Sequence, residues 1–442
     1  MSSPRKRSAL SPTGFYGWHV VAYSAVALAA TGPGQTVGVS LFIDPLIDDL
    51  GLTRSSVSTA YLIGTLAGAF ALPWIGRALD RFGIRRTVAV IGAVFGAVLI
   101  ALSFVSSLVG LTVGFVGLRM AGQGALGLTA TTAVALWFSR RRGTAIGIVS
   151  AVGSGGISST PLILEVFLFD YGWRTAWLIE GVAIWLLVIP LGLFAMRDRP
   201  SDLGQQPDGP AAAGDQPHPS LAAASLTRAQ AMRHPYFWLI CAAVAMSGLL
   251  TTAVSFHQIS LLTARGLTAA QAAGNFVPQT IAGLIATLGT GYLLDRFAGR
   301  WMIIASMVLL SGALWSAIHV TPGLSAYAFG AMLGAAGSMI RAVEGTALPR
   351  YFGVRHIGAI RGLVAAISVG GTACGPLLFA VVFDHTASYD TVLLAGALPP
   401  LTVAVWAFVA HEPDTAVPLL APTDQSPQSP VEPRPISSAP SR

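Results

Sequence analysis

The sequence predicts an all-α membrane protein. Twelve transmembrane helices fall into two pseudo-symmetric six-helix bundles, with both termini in the cytoplasm. Three observations lead there. First, 53% of the 442 residues are hydrophobic, only 10% are charged, and the mean hydropathy is +0.67. A soluble domain carries about 25% charged residues, so a large soluble enzyme is excluded. The apolar content also excludes disorder for the bulk of the chain. Second, apolar runs long enough to cross a bilayer, which takes about 20 residues, recur along the chain. Third, the two halves align with one another.

The runs lie at 17–44, 55–79, 86–108, 110–138, 143–169 and 174–196, then at 236–263, 269–294, 300–319, 323–349, 357–383 and 389–410. Helices are expected, because lipid offers no partner for backbone polar groups. The alternation of a transmembrane barrel is absent. The first run follows Arg5-Lys6-Arg7 and has no clean small-residue cleavage site, so it reads as a retained span. Pro33 between Gly32 and Gly34 is expected to bend it.

Orientation follows from the basic residues. With the N-terminus inside and the spans alternating, 21 of the 26 Lys and Arg fall on the inner side. Three, Arg54, Arg174 and Arg265, fall outside, and two, Arg119 and Arg341, fall within spans. This is the positive-inside pattern. It also accounts for the net charge of +7 without nucleic acid. The expected organisation is a cytoplasmic tail at 1–13, a six-helix bundle at 14–196, a linker at 197–234, a second bundle at 235–411 and a disordered tail at 412–442. Pro- and Gly-rich stretches in the linker, and Pro and Ser in the tail, support those divisions. Cys241 and Cys374 are far apart in apolar runs and read as packing residues.

A shift of 215 residues superposes the halves. Gly51-Leu52-Thr53 meets Gly266-Leu267-Thr268, Gly68 meets Gly283, and Leu79-Asp80-Arg81-Phe82 meets Leu294-Asp295-Arg296-Phe297. At 214, Phe169-Asp170 meets Phe383-Asp384 and Trp137-Phe138 meets Tyr351-Phe352. Paired parallel repeats of six spans are built to rock about a midplane site.

The stretch Gly76-Arg77-Ala78-Leu79-Asp80-Arg81-Phe82-Gly83-Ile84-Arg85-Arg86 resembles the loop signature of the major facilitator superfamily, with a looser copy from Gly291 to Arg300. The resemblance covers about 14–411 and implies alternating access. It also implies a gating role for Gly76, Asp80, Arg81, Gly83, Arg85, Arg86, Asp295 and Arg296, with the Asp80 carboxylate near a helix N-terminus. An anion is favoured there. Trp137-Phe138-Ser139-Arg140-Arg141-Arg142-Gly143-Thr144-Ala145-Ile146-Gly147 is similar to a signature of the monocarboxylate porter and oxalate-formate antiporter branch. Lactate-type members carry a lysine in span one and an Asp/Arg pair in span eight. Here those regions read Gly34-Gln35-Thr36 and Asn275-Phe276-Val277-Pro278-Gln279-Thr280. Gly153-Ser154-Gly155-Gly156 precedes Pro161, the wrong order for the drug-antiporter signature, and reads as close helix packing.

Ionisable groups inside spans are functional candidates by default. Arg119 and Arg341 lie near mid-depth in spans four and ten, and neither is duplicated by the repeat. Gln123 at i+4 shares the Arg119 face, and Glu344 at i+3 can pair with Arg341. An arginine fork suits a carboxylate, and protonation of Glu344 would release Arg341. His257 is a candidate outside-pH sensor. Gln35, Asn275 and Gln279 are candidate cavity polar groups.

Expected partners are therefore a small, anionic substrate, protons and the lipid bilayer. No nucleic acid, ATP or cofactor is expected. Lys6 is the only lysine and lies outside any phosphate-cradling Gly-Lys-Ser/Thr motif. No Cys/His metal spacing and no nucleophile elbow point to an enzyme. The expected function is secondary transport of a small organic anion such as a monocarboxylate, or of a neutral or cationic metabolite or drug by the same fold. A monomer in the plasma membrane is expected. The excess of arginine over lysine with abundant Ala and Gly suggests a bacterial inner membrane.

Overall fold

The computed structural model describes residues 15–138, 141–207, 226–294, 296–353 and 357–413. Among them there is no strand, and ten segments are long and apolar enough to cross a membrane. The number is below the twelve expected runs for two local reasons. Thr144–Ala195 is one run of 52 residues that contains the fifth and sixth expected spans, broken at Gly172 with φ 77° and ψ 167°. The first span is interrupted, so its opening helix, Gly17–Ala29, is only 13 residues long.

The interruption is written in Gly32-Pro33-Gly34. These residues form a 3-10 turn, and Gln35 after them is extended, with φ −84° and ψ 160°. Short turns at Thr36–Val39, Ser40–Phe42 and Ile43–Leu50 complete the segment. The bend expected at Pro33 is thus a full break.

Arg54–Leu102 spans 49 residues, about 74 Å at the α-helical rise, more than twice a bilayer core. It breaks at Gly83, with φ 79° and ψ 170°, a region open only to glycine. Thr53 caps its start by accepting from the Ser56 N–H. Along this segment Gly64 and Gly68 form a Gly-x-x-x-Gly stripe. It lets the backbone approach the carbonyls of Phe115 and Arg119 on the next segment. That segment runs as α-helix over Leu108–Leu118, as π-helix over Arg119–Leu126 and as α-helix over Gly127–Trp137. Arg142–Pro190 follows, and its Gly153 and Gly156 pack on Leu28 and Ala29 of the first helix. Those glycines act in helix packing, as read.

The second half contains Pro235–Thr263, Ala269–Gly274, Phe276–Leu294, Gly299–Ile318, Leu324–Phe352, Ile357–Thr386 and Tyr389–Val409. The repeat has a structural counterpart at the end that carries residue 15, here called the tail side. The Arg85 N–H, two residues past the Gly83 break, donates to Asp198 Oδ1 at 2.9 Å. The Arg300 N–H donates to Glu412 Oε1 at 2.8 Å. Arg85 and Arg300 are 215 apart, and Asp198 and Glu412 are 214 apart. Each carboxylate caps the N-terminus of the third helix of its own half, where negative charge is stabilised. Asp198, at the start of the linker region, and Glu412, at the start of the tail region, therefore contact the bundles.

Candidate functional site

The halves close on each other at the far side, opposite the end that carries residue 15. Arg54 donates to Asp44 at 2.7 Å and across the seam to Ser260 at 3.0 Å. Ser260 in turn donates to Asp44 Oδ2 at 2.6 Å. The Arg54 guanidinium lies 4.9 Å from the Phe383 ring centroid. The Ser55 N–H donates to Asp384 at 3.0 Å. One layer deeper, Tyr61 and Phe256 rings meet at 4.5 Å.

Beneath this seal lies a cavity of about 840 Å³, walled by both halves. Its polar lining is Gln35 and Thr36 from the broken first span and Ser150, Ser154 and Ser158 from the fifth. From the second half come Thr251, Thr252, Ser255, Gln279, Thr280, Thr287, Ser338 and Arg341. Ser158 and Thr280 are hydrogen-bonded across the seam. By position along their helices, these residues run from mid-depth toward the tail side.

Arg341 is the one charged side chain among the described lining residues. It is exposed to the cavity, and its Nη2 donates to Ser338 one turn earlier at 2.9 Å. A helical side chain leans toward the N-terminus of its helix. Arg341 therefore reaches back to Ser338 and makes no ion pair with Glu344, which is half-buried and outside the lining. The expected i+3 pair is not formed.

Gln35 and Gln279 line the cavity, as expected. Gln35 donates to Thr31 at 3.0 Å. Gln279 Nε2 lies 3.5 Å from Ser255 Oγ, while its Oε1 has no protein partner.

The remaining candidates sit elsewhere. Arg119 is 2% exposed, donates from Nη1 to the Gly34 carbonyl at 2.9 Å and from Nε to Thr65 at 3.1 Å, and lies 4.6 Å over Tyr61. It holds the break in span one and does not line the cavity. Gln123 is exposed and also outside the lining. Gln123 does not act with Arg119: the Arg119 side chain is turned into the Gly34 and Thr65 contacts, while Gln123 stays exposed on the π-helical stretch Arg119–Leu126. His257 is wholly buried, with Nε2 at 3.0 Å from the Pro376 carbonyl and its ring parallel to Phe379. Asn275 is also wholly buried. It donates to the Ala326 carbonyl at 2.6 Å and accepts from Gln258 at 3.3 Å.

Of the gating candidates, the Asp80 side chain and all of Asp295 lie outside the described residues. Gly83 and Arg85 meet Asp198, and Arg85 also donates to the Leu193 carbonyl at 2.5 Å. Arg81 lies over Phe82 and Arg296 over Tyr292, at 5.3 and 4.1 Å from the ring centroids. Arg86 is exposed, and Gly76 has open space where a Cβ would stand.

Sequence reasoning misses Glu180. It is 6% exposed, lies inside Thr144–Ala195, and neither carboxyl oxygen has a hydrogen-bond partner among the described residues. The signal was visible as a lone acid in the 174–196 apolar run. The hydroxyl-rich fifth and seventh spans were missed too, because Ser and Thr inside apolar helices normally bond their own backbone and give no signal.

Comparisons with known proteins agree with this geometry. The family model described as Major Facilitator Superfamily matches residues 20–298 and 258–440. Monocarboxylate transporter 11 of Mus musculus is 28% identical over 87% of this chain and 85% of its own length. A triacylglyceride transporter of Mycolicibacterium smegmatis is 32% identical over 40% of this chain and 31% of its own length. Among solved structures, a bacterial homolog of the human lysosomal transporter Spinster, in an inward-facing and occupied conformation, superposes with a TM-score of 0.68. It covers 90% of this chain and 97% of that one, at 15% identity, and so speaks to fold alone. An all-helical chain with a cavity between two repeated halves, matched almost end to end by one family model, belongs to the Major Facilitator Superfamily of multi-pass membrane transporters.

Proposed function

We propose that the chain imports or exports a small organic anion of the monocarboxylate type, coupled to protons. The single carrying observation is Arg341, a lone positive charge in a lining of neutral hydroxyls and amides. A guanidinium fork recognises a carboxylate bidentately, and no lining acid competes for it. The near full-length similarity to a monocarboxylate transporter supports the same class. In this reading the chain crosses the membrane twelve times, with the broken first span and both halves of Arg142–Ala195 each counted. The tail side is cytoplasmic, so the structure is sealed outside and hollow inside. The basic tail-side loops support that orientation. The chain acts as a monomer in a bacterial plasma membrane.

A second reading is transport of a neutral or cationic metabolite. The abundance of hydroxyls in the walls favours it, and Arg341 opposes a cation. The test is uptake of labelled small carboxylates by proteoliposomes, with and without an imposed pH gradient, for wild type and Arg341→Gln. Saturable uptake that the gradient accelerates and the substitution abolishes supports the anion reading. Folded protein that takes up no carboxylate sinks it and moves the search to uncharged substrates.

A further inference from the structure

Glu180 stands on the buried stripe of its helix, with Trp173, Trp177, Ile184 and Val188. It lies eight residues past the Gly172 break, about 12 Å down the helix. The span packs on two neighbours there. Gly181 and Gly96 approach backbone to backbone, and Trp185 donates to the Ala93 carbonyl at 2.8 Å on span three. Trp177, one turn above Glu180, stacks on Phe42 of span one, with centroids 4.5 Å apart and planes 20° apart.

Among the described residues no counter-charge serves the carboxyl. On span one, Asp44 is held by Arg54 and Asp49 by Arg174, while Asp48 and His19 are exposed and Tyr16 and Tyr23 lie at the tail-side end. On span three, Arg85 and Arg86 sit at the tail-side end, Arg85 against Leu193. On its own long helix, Glu165 and Asp170 precede the Gly172 break and Arg174 is taken by Asp49. A carboxylate left ionised and unpaired in such surroundings is strongly disfavoured.

We propose that Glu180 is the proton-binding site of this transporter, loaded when the seam between spans one and six is closed and unloaded when it opens. This rests on the anion reading above and names the residue behind its coupling. In each cycle one proton binds the carboxylate, crosses with one monoanion bound at Arg341, and leaves Glu180 as the carboxylate in the opposite state. The transfer is electroneutral. The link runs through span one: Phe42 ends the 3-10 turn Ser40–Phe42 in the broken segment whose Gln35 and Thr36 line the cavity. Ionised Glu180 draws water into the seam, displaces Trp177 from Phe42, and so reaches the cavity wall.

The test compares wild type with Glu180→Gln in proteoliposomes. Glutamine mimics the protonated acid in shape and charge. Carboxylate exchange with no gradient is expected to stay within twofold of wild type, while the acceleration by an inward pH gradient falls to none. Gradient-driven uptake retained at the wild-type ratio overturns the role of Glu180 and leaves the anion reading standing. Absence of carboxylate uptake in wild type overturns the anion reading instead. A second arm needs no variant and no substrate. An apolar carbodiimide, which reacts with protonated carboxyl groups in apolar surroundings, is expected to modify Glu180 of the wild-type protein, faster at acid pH, as read by peptide mass spectrometry. Glu180 unmodified at every pH overturns the proposal even if Glu180→Gln fails to fold.

Discussion

Arg119 donates a hydrogen bond to the carbonyl oxygen of Gly34 at 2.9 Å. That carbonyl precedes the extended residue Gln35, where the first span has left the helix. A broken helix leaves backbone groups without their i→i−4 partners, and within a membrane such groups must be satisfied by the protein. The arginine that reads from sequence as an anion ligand is therefore occupied by the backbone. Arg341, the other mid-span arginine, is not. The two arginines thus differ in surroundings: one is spent on the backbone of span one, and the other faces the cavity.

Arg119→Leu is expected to destabilise the protein. It leaves the Gly34 carbonyl and the Thr65 hydroxyl without their donor in a buried place, at about 1–3 kcal/mol for each unsatisfied group. Thermal melting followed by gel filtration reads this. Arg341→Gln, which faces the cavity, should melt near wild type. Equal melting of the Arg119 variant and wild type contradicts the structural role.

Arg54→Ala is expected to loosen the far-side seal. A hydrogen bond to a charged group contributes about 1.5–3 kcal/mol, and the one that crosses the seam, to Ser260, is lost. A shift of tenfold or more in the closed-to-open ratio follows, since about 1.4 kcal/mol is tenfold. A cysteine placed at Thr36 of a cysteine-free background reads it. Labelling of that cysteine by an impermeant maleimide from the far side should rise at least tenfold in Arg54→Ala, and an unchanged rate rejects the seal.

Gly83→Ala is expected to cost about 1–3 kcal/mol, because its φ of 79° and ψ of 170° lie where only glycine is unstrained. A Cβ there also crowds the Asp198 carboxylate. Gly76→Ala, from the same motif, meets nothing within 4 Å and should be neutral or slightly stabilising. Side-by-side melting decides, and two equal results mean the motif glycines are not distinguished by backbone geometry.

His257→Gln is expected to lower stability by about 1–3 kcal/mol through loss of the contact to the Pro376 carbonyl. The shape of the uptake-versus-pH curve should not move, since the ring is sealed between aromatic residues. A displaced curve restores the sensor role that its sequence position suggested.

The candidate residues separate by how local their evidence is. Gln35 and Gln279 are polar groups in apolar spans, and both reach the cavity. Asn275, four residues before Gln279, is equally conspicuous in sequence. It is turned instead into the contact with Ala326, because Phe276–Leu294 begins just after it and sets its direction. Gln123 shares a helical stretch with Arg119, yet Arg119 is drawn into the buried contacts with Gly34 and Thr65 and Gln123 stays exposed, an outcome set by span packing and not by spacing. Asp198 and Glu412 looked like the edges of spacer segments, yet each caps a helix some 112 residues or more away in sequence.

Composition alone decided that lipid is the solvent, because too few charged residues exist to cover a water-facing surface. Apolar run lengths, Gly-Pro-Gly and the duplicated Leu-Asp-Arg-Phe pointed to membrane helices, a bend in the first and an internal repeat, since each depends on neighbours along the chain. The tertiary structure decided which of two midplane arginines faces the cavity, which polar residues are consumed as ties between helices, and that Glu180 is sealed without a partner. Those outcomes depend on the rotation and depth of each helix against the others. That rotation is fixed by packing between residues far apart in sequence, such as Phe42 on Trp177 and Tyr61 on Phe256.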